Sequence, residues 1–315
     1  MAAVAVVGTG FIGRAWAISF ARAGLDVALF DREEPALERA RAYIAEILPD
    51  LGEHDLLDGA TPKNVLERIR LEPRLERALD GARHVQENTP EDIGMKQAVF
   101  SALERAADPR AVLASSTSSL LPSRFSEHLA TRERCLVVHP INPPYLVPAV
   151  EIVPAPWTAE AVTTETAALM ESIGQRPIVM KRELDGFVMN RMQGALLEEA
   201  FRLVADGYAS PEDIDVGLRD GLALRWSFMG PFETIDLNAP GGVRDYVERY
   251  QGIYERITPT QMRRGDWAGP VLEQVEQRRR AVLPESALVD RQKWRDKRLM
   301  ALIAHKRRAA KTIGE

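Results

Sequence analysis

The chain has 315 residues, long enough for two domains that each bury a core of their own. Hydrophobic residues make up 45%, charged residues 28% and the net charge is −5, so there is no basic footprint for nucleic acid; nor is there a run of the roughly 20 apolar residues that a spanning helix needs. A single cysteine, Cys135, excludes intrachain disulfides, cysteine-rich metal sites and paired-cysteine redox motifs, and it makes a reducing, cytoplasmic compartment the expectation.

In chain order, "VAVVG" and "LDVALFD" read as strands, and between them "FIGRAWAISFARAG" reads as a helix ended by Gly24. Further strand candidates are "HVQEN", "AVLASS", "RCLVVHP", "VEIVP" and "RPIVMK". One of the helices among them, "EDIGMKQAVFSALERAA", sets Ile93, Val99, Phe100 and Leu103 near a 3.6-residue period. This alternation predicts an α/β domain with a parallel, doubly wound, Rossmann-type sheet covered by helices. Strand signals stop between about 183 and 186, so the expected division is residues 1–184 and an all-α domain over 185–315.

In the second part, Met189, Met192, Leu196, Phe201 and Val204 are spaced to share the buried side of one long helix, closed by Gly207. Ser210, Pro211 and Asp213 have the order of an N-cap, a first helical position and a capping-box acid. Val243, Tyr246, Val247, Tyr250 and Tyr254 form a stripe that suits either core or subunit contact. The late basic run "HKRRAAK" reads as a solvated helix end. Neither a repeat nor a low-complexity segment is visible.

Gly8, Gly10 and Gly13 form G-x-G-x-x-G between the first strand and its helix, with Phe11 and Ile12 inside the motif. The first glycine permits the turn, the second lets backbone approach a pyrophosphate, and the third lets helix and strand pack closely. Asp31 closes the second strand, where its carboxylate suits the adenosine ribose hydroxyls and disfavours a 2′-phosphate. The expected cofactor is therefore NAD, although Arg32 next door could also receive a phosphate.

A histidine and a glutamate stand in the apolar, proline-rich passage "VVHPINPPYLVPAVEIVP". His139 and Glu151 are both costly to bury alone, which suggests partners in proton transfer. The other histidines, His54, His84, His128 and His305, lack such company and are expected at the surface.

Together, "GTGFIG", "PEDIGMK", "SSTSSL", "HPINPP", "GFVMNR" and "GPFE" resemble, in this order, the motifs of the 3-hydroxyacyl-CoA dehydrogenase family. The nearest likeness is to the branch holding L-gulonate 3-dehydrogenase and lambda-crystallin, through "SSTSSLLPS", "LRWSFMGPFETIDLNA" and "RQKWRDKRLM". The resemblance implies that His139 is the base that removes the hydroxyl proton while the carbon passes hydride to nicotinamide, with Glu151 fixing its tautomer. It also implies that Ser118 and Asn142 contact substrate oxygen and organise the cofactor, and that Asn190 reaches the cleft from the second domain. Glu91 and Lys96 match positions near the nicotinamide ribose. A homodimer through the C-terminal domain is implied as well.

For the substrate, Arg225 in "LRWSFMGPFE" is suited to clamp a free carboxylate; the alternative is an ion pair with Asp220 or Glu233. A free 3-hydroxy acid is thus expected, with 3-hydroxybutyryl-CoA or carnitine as alternatives and a crystallin-like structural role as the non-enzyme alternative. Carnitine's trimethylammonium asks for an aromatic enclosure that 6% aromatic residues do not reveal in the sequence. Trp226 suits a pocket wall or a dimer contact equally.

Overall fold

The computed structural model describes residues 3–314. The chain divides into two compact units, residues 1–190 with 296–305, and residues 191–295 with 306–315. The first unit is built on one sheet of eight strands: β1 Val4–Val7, β2 Val27–Phe30, β3 Ile69–Glu72, β4 His84–Glu87, β5 Val112–Ser115, β6 Cys135–Pro140, β7 Ala149–Pro154 and β8 Arg176–Val179. Their order across the sheet is β3-β2-β1-β4-β5-β6-β7-β8. This is an N-terminal Rossmann-type, doubly wound domain followed by a helical region.

Helices α1 Phe11–Arg22, α2 Glu34–Glu53, α3 Pro62–Glu67, α4 Leu75–Leu79, α5 Ile93–Ala106, α6 Pro122–Ser126 and α7 Glu160–Ser172 connect and cover the strands. Because both sheet faces are covered, β1, β2, β4 and β5 are buried at every residue and read as short continuous runs rather than alternations. Trp16, Phe20, Ile44 and Leu48 fill the core on one face, and Phe100, Phe125 and Phe187 fill the other.

Two features depart from the sequence reading. Strand β3 was not foreseen, since "IRLE" alternates apolar and charged residues at the sheet's edge, where charge protects an open ladder. The sheet is also not wholly parallel. β6 and β7 pair antiparallel, because the eight residues 141–148 between them are too few for a parallel crossover. Their register sets His139 directly opposite Glu151.

The chain continues as α8 Met189–Ala205, α9 Pro211–Val216, α10 Ala223–Trp226, α11 Pro231–Leu237, α12 Gly242–Gln261, α13 Pro270–Val282 and α14 Leu288–Ile313. A π-helical turn, Gly217–Leu222, leads into α10. Ser210 and Asp213 form the reciprocal capping box at the start of α9. Residues 296–305 of α14 join the first unit, where Met300 is fully buried in its core and Lys297 lies 3.5 Å from Asp50.

In the second unit the expected buried stripe on α8 is largely uncovered. Of its five residues only Val204 is buried, while Met192 is 55% exposed. The α12 stripe is not core either, since no residue of that helix is buried. No helix of the described residues is long and apolar enough to cross a membrane.

Candidate active site

The glycine turn is fixed by close packing on one side and open space on the other. Gly8 has φ +92°, and a Cβ there would lie 3.0 Å from the carbonyl oxygen of Asn88. A Cβ on Gly13 would lie 1.8 Å from the carbonyl oxygen of Gly8, so only glycine lets α1 approach the turn. At Gly10 a Cβ would meet nothing within 4 Å. No protein atom explains that glycine, whereas a phosphate laid against the backbone does. Gly10 is also the N-cap of α1 without a side-chain cap, so the first amides of the helix are left for an anion. Phe11, at the helix start, is 68% exposed and Ile12 is half-buried.

Asp31 follows β2 and turns its carboxylate to the same place. Its Oδ2 accepts from the Thr9 amide at 3.0 Å and the Thr9 hydroxyl at 2.7 Å, and its Oδ1 accepts from the Glu33 amide at 3.2 Å. Three bonds leave acceptor capacity on a group with about four lone-pair sites, enough for a ribose hydroxyl. The turn, the uncapped helix and the carboxylate thus fit an NAD pyrophosphate and ribose.

His139 and Glu151 face each other across the β6–β7 ladder, with Nδ1 of the histidine 2.7 Å from Oε2 of the glutamate. Both are buried, and the Phe187 ring lies 5.6 Å from the imidazole. The other oxygen of Glu151 accepts from the amides of Val188, at 2.6 Å, and Met189, at 2.9 Å. Burial alone would raise the Glu151 pKa. The hydrogen bonds from His139, Met189 and Val188 outweigh it and hold the carboxyl below its ordinary value. A carboxylate acceptor keeps the hydrogen on Nδ1, which leaves Nε2 with a lone pair.

A second cluster adjoins this one through residue 190. Glu91 accepts from the Thr117 hydroxyl at 2.6 Å and from Ser119 amide and hydroxyl, both at 2.9 Å. The Ser118 amide donates to it at 3.1 Å, and Asn190 Nδ2 donates to the Ser118 carbonyl at 2.6 Å. Partial burial pulls the Glu91 pKa upward, but the bonds from Thr117 and Ser119, with Lys96 nearby, hold it below its ordinary value. Residues 188–190 are therefore tied to Glu151 on one side and to Ser118 on the other. Asn142, just after β6, is exposed.

Glu91 precedes α5, which begins at Ile93, and Lys96 lies within that helix. Lys96 is buried and its ammonium donates to both oxygens of Glu87, at 2.9 and 2.8 Å, and to the Thr89 carbonyl at 2.9 Å. All three of its protons are engaged inside the protein. The Ser115 hydroxyl also donates to Glu87, at 2.7 Å. Glu87 was not singled out in the sequence. Its signal is a carboxylate ending a strand with no other acid in it, buried at every residue, which demands a cation.

The sequence model of the 3-hydroxyacyl-CoA dehydrogenase NAD-binding domain matches residues 3–183, and that of the C-terminal domain matches residues 186–268. The chain belongs to the 3-hydroxyacyl-CoA dehydrogenase family. A lambda-crystallin homolog from Bos taurus is 43% identical over 302 residues, 95% of this chain and 94% of that one. An L-carnitine dehydrogenase from a Pseudomonas species is 33% identical over 300 residues, 95% and 92% of the two chains. Among solved structures, 5-formyl-3-hydroxy-2-methylpyridine 4-carboxylic acid 5-dehydrogenase, an NAD+ dependent dismutase, superposes with a TM-score of 0.82 at 28% identity, covering 98% of both chains. This member of the 3-hydroxyacyl-CoA dehydrogenase family is an NAD-dependent oxidoreductase, and its first unit carries the NAD-binding domain.

In the second unit Arg225 is exposed on α10. Asp220, one of its possible acidic partners, is held by Arg219 at 2.6 Å, and no ion pair to Arg225 is formed among the described residues. Three tyrosines of the stripe read in the sequence gather on α12. Tyr246 and Tyr250 have ring centroids 4.7 Å apart, and the Tyr246 and Tyr254 hydroxyls are 2.6 Å apart. The hydrogen bond to Tyr254 raises the Tyr246 pKa, and the charge of Arg225 acts on it in the opposite direction. Trp226 is half-buried.

Proposed function

We propose that this family member oxidises the 3-hydroxyl of a free, L-gulonate-like hydroxy acid to the 3-keto acid, with His139 as general base. The observation that carries the reading is the Nδ1 contact of His139 with Glu151, 2.7 Å long and buried on both sides. It leaves Nε2 free of hydrogen and able to take the hydroxyl proton. Glu151, kept ionised, then stabilises the imidazolium without taking the proton itself. Bound NAD supplies the acceptor for the hydride. Gly8, Gly10, Phe11, Ile12, Gly13 and Asp31 hold its adenosine diphosphate end. Glu91 shapes the loop at Ser118, and Ser118, Asn142 and Asn190 orient substrate oxygen and the cofactor. Lys96 acts through Glu87 as a positioning residue, not by touching the cofactor.

In this reading residues 1–184 form the NAD-binding domain, and residues 185–315 form the substrate-binding and dimerisation domain of a cytoplasmic homodimer. Arg225 clamps the substrate carboxylate. A free acid is favoured by the solved relative named for a pyridine carboxylic acid and by an arginine that has no acidic partner among the described residues. A second reading is carnitine oxidation. It is favoured by the 33% identical L-carnitine dehydrogenase and by the tyrosines gathered on α12, whose faces suit a trimethylammonium group.

One panel decides between them. The protein is mixed with NAD and, in turn, L-gulonate, L-3-hydroxybutyrate, L-carnitine and 3-hydroxybutyryl-CoA, and NADH absorbance is followed. Turnover of gulonate or hydroxybutyrate is the expected result, and turnover of carnitine alone selects the second reading. Turnover of the CoA ester alone removes the clamp argument. NAD binding with no turnover of any of them points to a crystallin-like structural role.

A further inference from the structure

The first unit buries two histidines, and each has a phenylalanine against its ring. His84 is not the surface residue its isolation in the sequence suggested. It is 3% exposed, its Nε2 lies 2.9 Å from Gln86 Oε1, and the Phe20 ring is 5.8 Å away. Phe20 stands in the regular run of α1, where its backbone pays nothing for the contact. The phenylalanine against His139 is placed differently.

Phe187 has φ +50°. The other non-glycine residues with positive φ among the described residues are Asp55 and Asp58, whose short polar side chains tolerate that region. For a side chain as bulky as phenylalanine the left-handed conformation is strained, and such strain persists only where the surroundings over-determine it. A glycine would make the same turn without strain, as Gly186 does at φ +76°. The surroundings here are the His139–Glu151 pair. The Phe187 amide donates to the Leu184 carbonyl at 2.9 Å, and the next two amides, of Val188 and Met189, both donate to Glu151. Successive amides turned to one anion form a concavity for it. The backbone at 187 thus serves the carboxylate. Its side chain is fully buried, with the ring 5.6 Å from the imidazole and tilted by 55°, within the range of an aromatic pair.

The hydrogen bond that Nδ1 donates to Glu151 fixes one corner of the imidazole. A ring held at one corner still rocks, and rocking swings Nε2 away from the hydroxyl it must reach. We propose that Phe187 is a positioning residue for His139, its ring holding the imidazole plane so that Nε2 keeps one direction. Phe187 itself takes no part in proton transfer. This role rests on His139 being the general base.

The test compares Phe187→Leu with Phe125→Leu in the full chain. Phe125 is buried in the same core cluster and packs on Phe100 at 4.5 Å, so its variant removes a like ring from the same core. Three quantities are read: NAD affinity by titration, kcat on the substrate that turns over, and exchange of the His139 Nδ1 proton with water in spectra of labelled histidine. Phe187→Leu is expected to lower kcat about 10–100-fold, the effect of misplacing a catalytic group by about 1 Å, with NAD affinity unchanged. Its Nδ1 proton is expected to exchange faster. Phe125→Leu should change none of the three. Phe187→Met, which fills the space without a flat face, takes the place of Phe187→Leu if that variant no longer binds NAD. His139→Gln assigns the resonance and separates the two failures: a mild loss there removes the base, and proton exchange then decides alone whether Phe187 holds the ring. Unchanged exchange in the Phe187 variant overturns the proposal, as do equal losses from Phe187→Leu and Phe125→Leu. A full kcat in Phe187→Leu overturns it as well where His139→Gln is severe.

Discussion

Substitutions at His139 and Glu151 separate the base from the residue behind it. His139→Gln keeps a polar side chain against Glu151 but removes the base, so kcat should fall about 10²–10⁴-fold while NAD affinity from equilibrium titration barely changes. A mild loss removes the general-base assignment. Glu151 titrates lower in the folded chain than when unfolded, so its charge stabilises the fold above the ordinary carboxylate range. That stability is lost as pH falls through the lowered value. The Tm gap between wild type and Glu151→Gln should therefore be widest near neutral pH and close in acid, and a gap independent of pH contradicts the argument. For the buried Lys96–Glu87 pair, Lys96→Met leaves the carboxylate in the interior without its counter-ion and should cost about 3–5 kcal/mol in denaturant unfolding. Lys96→Met combined with Glu87→Leu should recover much of it, and no recovery would mean that Lys96 acts elsewhere. The His139–Glu151 pair was legible because two costly side chains stood in an apolar frame. Lys96 was not, since its partner stands nine residues earlier on a strand, and His84 was not, since what buries it comes from distant helices.

The glycine turn shows how a motif divides into fold and function. Gly13→Ala drives a Cβ into the Gly8 carbonyl and should destabilise by several kcal/mol, whereas Gly10→Ala costs about 1 kcal/mol as a poorer N-cap. Gly10→Ala should nevertheless raise the KM for NAD about tenfold or more, because its methyl enters the space meant for the pyrophosphate. If both variants lose stability alike, or Gly10→Ala binds NAD normally, the cradle is elsewhere. Most strands were legible because continuous apolar runs between helical patterns have few other uses. The charged edge strand β3 was hidden by the very residues that protect its edge. The reversal at β6–β7 was written in the shortness of "INPPYLVP", and it is this hairpin that turns a spacing of twelve into a side-by-side pair. Contacts beyond Asn190 in sequence, such as the return of Met300 to the first core, have no local signal at all.

At the scale of the whole molecule, the second unit leaves several large apolar side chains exposed. Phe232 and Leu237 on α11, Val247 and Tyr254 on α12, and Met192 on α8 are all exposed. Helical periodicity gave the direction of these faces but not their partner, which is why the stripe on α12 suited core and contact alike. Singly exposed apolar residues are ordinary, but several helix faces of this kind in one unit favour a second copy of the same surface. The proposed homodimer should run at twice the mass of one chain in light scattering at micromolar concentration. Introducing charge through Val247→Glu and Tyr254→Glu should yield single chains without loss of NAD binding, since the glycine turn and Asp31 lie in the other unit. A wild-type protein that scatters as one chain at that concentration excludes a stable dimer. A double variant that stays dimeric moves the interface off α12, and the remaining exposed faces of α8 and α11 are then the surfaces to charge next.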